Sequence, residues 1–502
     1  MKVFNAEQIR NWDKFTIENE PVSSLDLMER AARRCYKHIT KYFSDAEGFY
    51  IFSGIGNNGG DGLAIARMLH ESDHPVTVFI CGDINQGSSD FQENFRRLKK
   101  IESCAINIIE KPSDFPPISQ SIICIDAIIG TGINRPLDGL IRDLVIHLNN
   151  TSVKIVSIDM PSGLHTETAP LKDDIIVKAS LTISFQVPKP VFFHPSSDIF
   201  LGRWILTDIG LHQHYYEQEN SKINYTLQED AEKLLMPRGR FSHKGKYGHA
   251  LLAAGSFGKM GAAVLAARAA TYSGCGLLTA FIPECGIDIM QISVPEAMVK
   301  VSDSREELSG EIETESFSAI GVGPGIGKSA NIKDFLKTLF KSPCRKFVID
   351  ADALNLIAEN PELKAAIPAG SILTPHPVEF GRLAGNWKND NEKLQLQTEF
   401  SSKHQVILVL KGAFTCITDP LGNVWYNASG NPGMAKGGSG DALTGVILSL
   451  LAQGYSNLDS SILGVYVHGL AGDIAAKKFS EQGMSAGDTV NQLRKSWKML
   501  SQ

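Results

Sequence analysis

The sequence predicts two α/β domains in one chain, each a parallel sheet covered by helices, and three observations carry that expectation. At 502 residues the chain is longer than one hydrophobic core of ordinary size organises. Both halves repeat a single plan: a short apolar run, a glycine-rich or polar turn, then a helical pattern. That alternation is the sequence form of a parallel sheet with helical crossovers. Between the halves the text turns polar and loses its period, at His212-Gln-His-Tyr-Tyr-Glu-Gln-Glu-Asn-Ser-Lys-Ile-Asn224. The domains are set at 1–215 and 227–502, with 216–226 as a linker, and Gln213 and His214 are read as linker rather than ligands.

Composition narrows the class. With 43% hydrophobic residues, 21% charged and a net charge of −6, the chain has the balance of a soluble globular protein. It carries no general basic footprint for nucleic acid, and no apolar run reaches the roughly 18 residues of a membrane span. The N-terminal stretch Met1–Asp13 lacks the apolar core of a signal peptide. Eight cysteines are scattered without a CxxC pair, and Cys81, Cys124 and Cys416 fall in strand-like runs. Reduced, buried thiols in a cytoplasmic protein are expected.

In the first domain, residues 22–43 place Leu25, Met28, Ala31, Ala32, Cys35 and Ile39 at helical spacing after a serine cap. Phe49–Ser53 reads as a buried strand, Gly54–Gly62 as a glycine-rich turn, Leu63–His70 as a helix and Pro75–Cys81 as a second strand. Gly54, Gly56 and Gly59 satisfy GxGxxG by count, but Asn57, Asn58 and Asp61 among them are unusual. Their side chains suit oxygen ligation of a hard cation, or hydrogen bonds to a ribose or an amide; a well-capped tight turn would use the same residues. Two further runs end in polar residues: Ser121–Ile125 before Asp126 and Gly130–Pro136, and Lys154–Ile158 before Asp159-Met-Pro-Ser-Gly163. Ligands of open α/β sheets gather beyond the carboxyl ends of strands, so these three ends are expected to share a crevice.

The second domain repeats the plan. Ala250–Ala254 precedes Gly255–Gly261 and an alanine-rich helix, and Phe317–Gly321 precedes Gly323-Pro-Gly-Ile-Gly327. Lys346–Asp350 precedes Asp352, Ser371–Leu373 precedes Thr374-Pro-His-Pro-Val-Glu379, and Val406–Leu410 precedes Lys411–Thr415. Asp350 and Asp352 suit helix caps or metal ligation equally, and His243, Lys244 and Lys246 suit either an anion site or a solvated loop. The series ends in Gly437-Gly-Ser-Gly-Asp441 and an apolar helical run. Amides at a helix N-terminus attract a phosphate. Asp441 is either an ordinary N-cap or a base for a hydroxyl beside that anion hole, which is what phosphoryl transfer requires.

Taken together, GNNGGDGLAIAR, DAIIGTGINRP, IDMPSGL and Thr207-Asp-Ile-Gly-Leu211 resemble the NAD(P)H-hydrate epimerase family over about residues 1–212. The resemblance implies a Rossmann-like three-layer sandwich that interconverts the R and S epimers of hydrated NADH and NADPH (NADHX and NADPHX). It implies that Asn57, Asn58, Gly59, Gly60 and Asp61, with Gly130, Thr131, Gly132, Ile133, Asn134, Arg135 and Pro136, line the hydrated nucleotide. Asp159 would touch the reacting ring as an acid/base group, and Asn58, Asp126 and Ser162 would hold K+.

In the second half, GHALLAAGS, GPGIG, DADALN, TPHPVEF, VLKGAFT and NPGMAKGGSGDALTG resemble the ADP- or ATP-dependent NAD(P)H-hydrate dehydratase family, from about 227 to 498. That resemblance implies a ribokinase-like three-layer α/β/α domain, Mg2+, and ADP as co-substrate, giving AMP and phosphate and favoured over ATP. The motifs themselves do not separate ADP from ATP. Ala262, Gly325, His376 and Asp441 would contact the hydrated nucleotide, and Lys411, Gly412, Ala413, Phe414, Thr415 and Gly440 the adenine nucleotide. The expected protein is a bifunctional, homo-oligomeric cofactor-repair enzyme. Its rivals are a ribokinase-like kinase of a hydroxymethyl vitamin and a non-catalytic nucleotide-binding module in the first half.

Overall fold

Strands that read as unbroken Val, Ile, Leu and Phe runs, rather than alternating ones, belong in parallel sheets buried on both faces. The structure, a computed structural model, describes residues 1–133 and 135–502. Among them the strands form one seven-stranded and one ten-stranded sheet. Contacts divide the chain into two units, in the main Lys2–Ser221 and Lys222–Gln502.

The first sheet consists of β1 (Gly48–Ser53), β2 (Val76–Cys81), β3 (Ala105–Ile109), β4 (Ile122–Ala127), β5 (Lys154–Ile158), β6 (Leu181–Phe185) and β7 (Arg203–Thr207). Its order is β3-β2-β1-β4-β5-β6-β7, with parallel pairing throughout. The chain direction across the sheet reverses between β1 and β4, so the crevice beyond their carboxyl ends is the expected ligand position. Three helices matter to that crevice: α1 (Ala6–Asn19), α2 (Ser24–Tyr42) and α3 (Asn57–Glu71). Asn5 opens α1 with a capping box, and Ser23 caps α2 through the Asp26 amide.

The glycine-rich stretch after β1 differs from expectation. Only residues 54–56 form a turn, and α3 begins at Asn57, so NNGGDG is the first part of the helix. The reason is packing. A Cβ on Gly59 would lie 1.9 Å from the Gly54 carbonyl oxygen, and one on Gly62 2.6 Å from the Ala127 Cβ. These glycines let α3 lie against β1 and β4 more closely than any side chain would permit.

In the second unit the strands are β8 (Ile223–Thr226), β9 (His249–Ala253), β10 (Leu277–Ile282), β11 (Met298–Val301), β12 (Ala319–Val322), β13 (Phe347–Ile349), β14 (Ile372–Leu373), β15 (Ile407–Leu410), β16 (Cys416–Thr418) and β17 (Val424–Asn427). Their order is β11-β10-β9-β12-β13-β14-β15-β16-β17-β8, reversing between β9 and β12. Pairing is parallel except on the two sides of β16. Helices packed on both faces, including Met260–Tyr272 and Ser439–Ala452, bury the two main core clusters.

The stretch 216–226, expected as a linker, contains the division between the two units and carries regular structure at both ends. Gln213–Gln218 is helical, with Tyr215 and Tyr216 stacked on Trp12, and Ile223–Thr226 is β8, paired with β17. Both elements are too short to show a period, and each is held by partners distant in sequence.

Candidate active sites

In the N-terminal unit, the ends of β1, β4 and β5 build a polar centre. Asp126 closes β4 and is buried; its carboxylate accepts from the Ser157 hydroxyl at 2.7 Å and the Ser162 amide at 2.9 Å, with Ser162 Oγ also bonded to it. Burial nonetheless pushes this carboxyl above its usual range. Asn58, in the first turn of α3, donates Nδ2 to the Ile158 carbonyl at 2.9 Å. Its Oδ1 is buried with no hydrogen-bond partner among the described residues. Such an orphaned acceptor calls for a donor or a cation. With Asp126 and the Ser162 hydroxyl, this donor set is all oxygen, as a hard cation requires.

Asp159 follows β5 with φ of 64°, a left-handed conformation that costs a non-glycine residue energy and marks functional positions. Three donors meet its Oδ1: Lys189 Nζ at 2.5 Å, the Phe185 amide at 3.1 Å and the Ser184 hydroxyl at 3.3 Å. Lys189 is fully buried and also donates to Ser184 Oγ and the Phe185 carbonyl. A cavity of about 410 Å³ opens here, lined among others by Trp12, Asp13, Asn57, Asp61, Thr131 and Asp159. Asp61 is held well above the ordinary carboxyl range by burial, then by Asp159 and Asp13.

Of the residues expected to line the hydrated nucleotide, Asn57, Asp61, Thr131 and Asp159 come together on this cavity. Gly59 and Gly60 do not line it. Gly60 packs on α2, where a Cβ would lie 2.7 Å from Met28 Sδ. Gly130 packs on Asn58, Gly132, Arg135 and Pro136 are exposed, Ile133 is half-buried, and Asn134 lies outside the described residues.

In the C-terminal unit, the helix carrying Asp441 begins at Ser439, earlier than expected. Gly438, at φ 92°, is its N-cap and offers no side-chain hydrogen bond, so Asp441 is not the cap but a residue of the first turn. The Ser439 amide donates to the Lys436 carbonyl at 3.3 Å, and the Gly440 and Asp441 amides are left for a ligand. Above Gly440, where a Cβ would lie 3.0 Å from Lys411 Nζ, sits an ion pair: Lys411 Nζ to Asp350 Oδ1 at 2.9 Å. Asp350 is buried at the end of β13 and accepts from Thr444 Oγ1 at 2.8 Å, so it is bonded by side chains rather than serving as a side-chain cap. Burial first, then the charges of Asp350 and Asp352, raise Asp441 to about 6, against the opposing pull of Lys411.

Gly325, at φ 66°, lies where a Cβ would meet that of Ala262 at 3.1 Å, so these two residues share one wall. His376 caps the helix Pro377–Ala384, its Nδ1 accepting from the amides of Val378 (3.1 Å) and Glu379 (3.4 Å). That bond fixes the neutral tautomer with hydrogen on Nε2, a donor. Burial and the Lys411 charge lower the His376 pKa and keep the ring neutral. Beyond Lys411, Gly412 and Ala413 are exposed, Phe414 meets the Tyr225 ring edge-on and Thr415 donates to the Gly412 carbonyl. His243, Lys244 and Lys246 are exposed, His243 preceding and the two lysines lying in the short 3-10 helix Lys244–Tyr247. Among the described residues, no group of three or more His, Cys, Asp or Glu side chains is arranged to hold a metal ion.

A family model described as NAD(P)H-hydrate dehydratase matches residues 250–495, and one described as YjeF-related protein N-terminus matches 24–191. The bifunctional NAD(P)H-hydrate repair enzyme Nnr of Coxiella burnetii is 31% identical over 500 residues, 98% of each chain. Its namesake from Moorella thermoacetica is 32% identical over 509 residues, 98% of this chain and 96% of its own. The chain belongs to the bifunctional NAD(P)H-hydrate repair enzyme family. The ribokinase-like character of the repair enzyme's second unit is matched by a ribokinase-like superfamily protein of Enterococcus faecalis. That likeness has a TM-score of 0.50 and 26% identity, over 57% of this chain and 98% of that one.

Sequence reasoning missed two groups in the repair enzyme's first site. Lys189 lies in Val187-Pro-Lys-Pro190, where a lysine between prolines reads as surface turn. Asp13 interrupts the stripe Ile9, Trp12, Thr16, Ile17 on α1. An acid on an otherwise apolar helix face is the signal that could have found it.

Proposed function

We propose that the chain restores hydrated nicotinamide dinucleotides, its N-terminal unit interconverting the epimers of NADHX and NADPHX and its C-terminal unit dehydrating the S epimer. The observation that carries the reading is Asp441: a carboxyl raised to about 6, in the first turn of an uncapped helix N-terminus, beside Lys411. A base of that pKa is ionised at neutral pH yet still accepts a proton from a hydroxyl. The helix amides and Lys411 supply donors for the charge on a transferring phosphoryl group.

In this reading the terminal phosphoryl of ADP or ATP passes to the substrate's ring hydroxyl as Asp441 takes its proton. Loss of phosphate and of a proton from the neighbouring carbon then restores the ring double bond. His376, donating from Nε2, and the wall of Ala262 and Gly325 orient the acceptor. Lys411–Thr415 and Gly440 hold the adenine nucleotide. Asp350 and Asp352, without a third carboxylate cage, suit Mg2+ bound chiefly through nucleotide phosphates, and the ion would supply charge neutralisation there. In the N-terminal unit Asn58 Oδ1, Asp126 and Ser162 Oγ suit K+, which would fix the turn beside the substrate. Asp159, kept in place by Lys189, is the base of the epimerisation.

The test uses the whole chain with mixed R- and S-NADHX and either ADP or ATP, following NADH absorbance and free phosphate. Complete recovery of NADH is expected, faster with ADP than with ATP and with AMP as product. Recovery of the S fraction alone removes the epimerase. A stable phosphorylated product replaces the dehydratase by a kinase.

A further inference from the structure

Inverting one carbon of a ring without a metal hydride or a redox step requires a proton carrier at each of two atoms, and Asp159 is only one. We propose that Asp13, on α1, is the second catalytic residue of the N-terminal cavity, the proton donor to the ring nitrogen. The proposal rests on the epimerase reading of that cavity and adds the identity of the acid.

Asp13 and Asp159 line the same cavity, yet their surroundings are opposite. Asp159 is met by an ammonium, an amide and a hydroxyl, three donors that occupy its Oδ1. Asp13 has no hydrogen-bond partner among the described residues. Facing it are Asp159 after β5, Lys189 after β6 and Asp61 on α3; on its own helix stand Arg10, Lys14 and Glu18, with Asp90 across the rim. Burial, then Asp159, raise Asp13 to about 7, with Lys189 opposing. Two carboxyls whose environments separate their protonation states form an acid/base pair. Burial, then Asp159, Asp13 and Asp90, hold the Asp61 carboxyl well above its usual range, which makes it a poorer base than Asp159 would be.

Water added to the enamine-type double bond of a dihydropyridine places its oxygen on the carbon joined to nitrogen. That carbon inverts when its bond to nitrogen opens and closes. Asp159 takes the hydroxyl proton, the O–H pair becomes the second bond of a carbonyl, and the C–N bond breaks. The C–N electron pair passes to nitrogen, which takes the proton of Asp13. The freed carbonyl carbon turns about its C–C bond and presents its other face. Nitrogen attacks, its proton returns to Asp13, and Asp159 returns its own to oxygen. Nothing is oxidised, and no co-reactant is consumed.

The experiment follows R-to-S conversion of NADHX by chiral chromatography without adenine nucleotide, so that the second unit is idle. In Asp13→Asn the rate should fall on the order of 10²-fold or more. The wild-type rate should decline above about pH 7 as Asp13 loses its proton, and that limb should be absent from the residual activity of Asp13→Asn. Asp13→Glu should recover part of the rate. ADP-dependent dehydration of S-NADHX, unchanged in each variant, reports an intact chain. Because the folded state binds this proton more tightly than the unfolded one, ionised Asp13 destabilises the unit increasingly from about pH 4 to about 7. Asp13→Asn should therefore unfold at a temperature no lower than wild type at pH 8. An Asp13→Asn variant that epimerises at the wild-type rate, or keeps the same alkaline limb, overturns the proposal alone. A wild-type chain that does not epimerise overturns the epimerase reading with it.

Discussion

In the N-terminal unit the groups proposed for acid/base work are covered, with Lys189 fully buried and Asp159 nearly so, at a cavity lined in part by α1. In the C-terminal unit the corresponding groups stand at the rim: Lys411 is partly exposed, His376 about half exposed, and Gly412 and Ala413 face solvent. Both sites lie beyond the carboxyl ends of parallel strands, so the sheet does not set the difference. The chemistry does. Proton shuffling on one substrate benefits from side chains held under cover by their neighbours, whereas transfer between two substrates needs an open lip where a nucleotide enters and leaves.

The largest expected effect breaks the enclosed site. Lys189→Met leaves Asp159 buried without its ammonium and should remove about 3–5 kcal/mol of stability from the N-terminal unit. Denaturant unfolding should show the loss in that unit's transition, with ADP-dependent dehydration preserved. Next comes the open site. Asp441→Asn should slow dehydration on the order of 10²-fold, about 2.7 kcal/mol in the barrier, while epimerisation continues. In wild type the same group predicts that dehydration falls as pH drops through about 6, where Asp441 becomes protonated and cannot act as a base. The smallest effect sharpens the cation reading. K+ at 100 times its dissociation constant should stabilise the wild-type N-terminal unit by about 2.7 kcal/mol over tetramethylammonium at equal ionic strength. Asn58→Ala, lacking the orphaned Oδ1, should lose most of that difference in a thermal-unfolding assay.

Much of this contrast was legible in the sequence, for a physical reason. Central strands such as Phe49–Ser53 and Ile407–Leu410 are buried on both faces and announce themselves as apolar runs. Their carboxyl ends therefore locate Asp126, Asp159, Asp350, His376 and Lys411 in advance. What escaped depends on partners far along the chain. β8 and β17 pair across the width of the second unit's sequence, and Gln213–Gln218 is held by Trp12. For Asp441 the sequence leaves cap and base both open, and the cap reading falls because the left-handed Gly438 starts the helix before the carboxylate. Lys189 was invisible because burial of a lysine is decided by the carboxylate it meets, and Asp159 precedes it by a whole strand and its flanking loops.

The eight cysteines carry a consequence for how long such a catalyst lasts. All are free, and burial holds every thiol above its ordinary pKa: Cys81 at about 11, Cys124 and Cys416 at about 12, Cys35 well above normal, and Cys104, Cys275, Cys285 and Cys344 raised. Peroxides and electrophiles attack the thiolate, and a raised pKa lowers the share of each side chain in that form. Oxidants should therefore reach these cysteines slowly, which mass spectrometry of the chain after peroxide treatment would check.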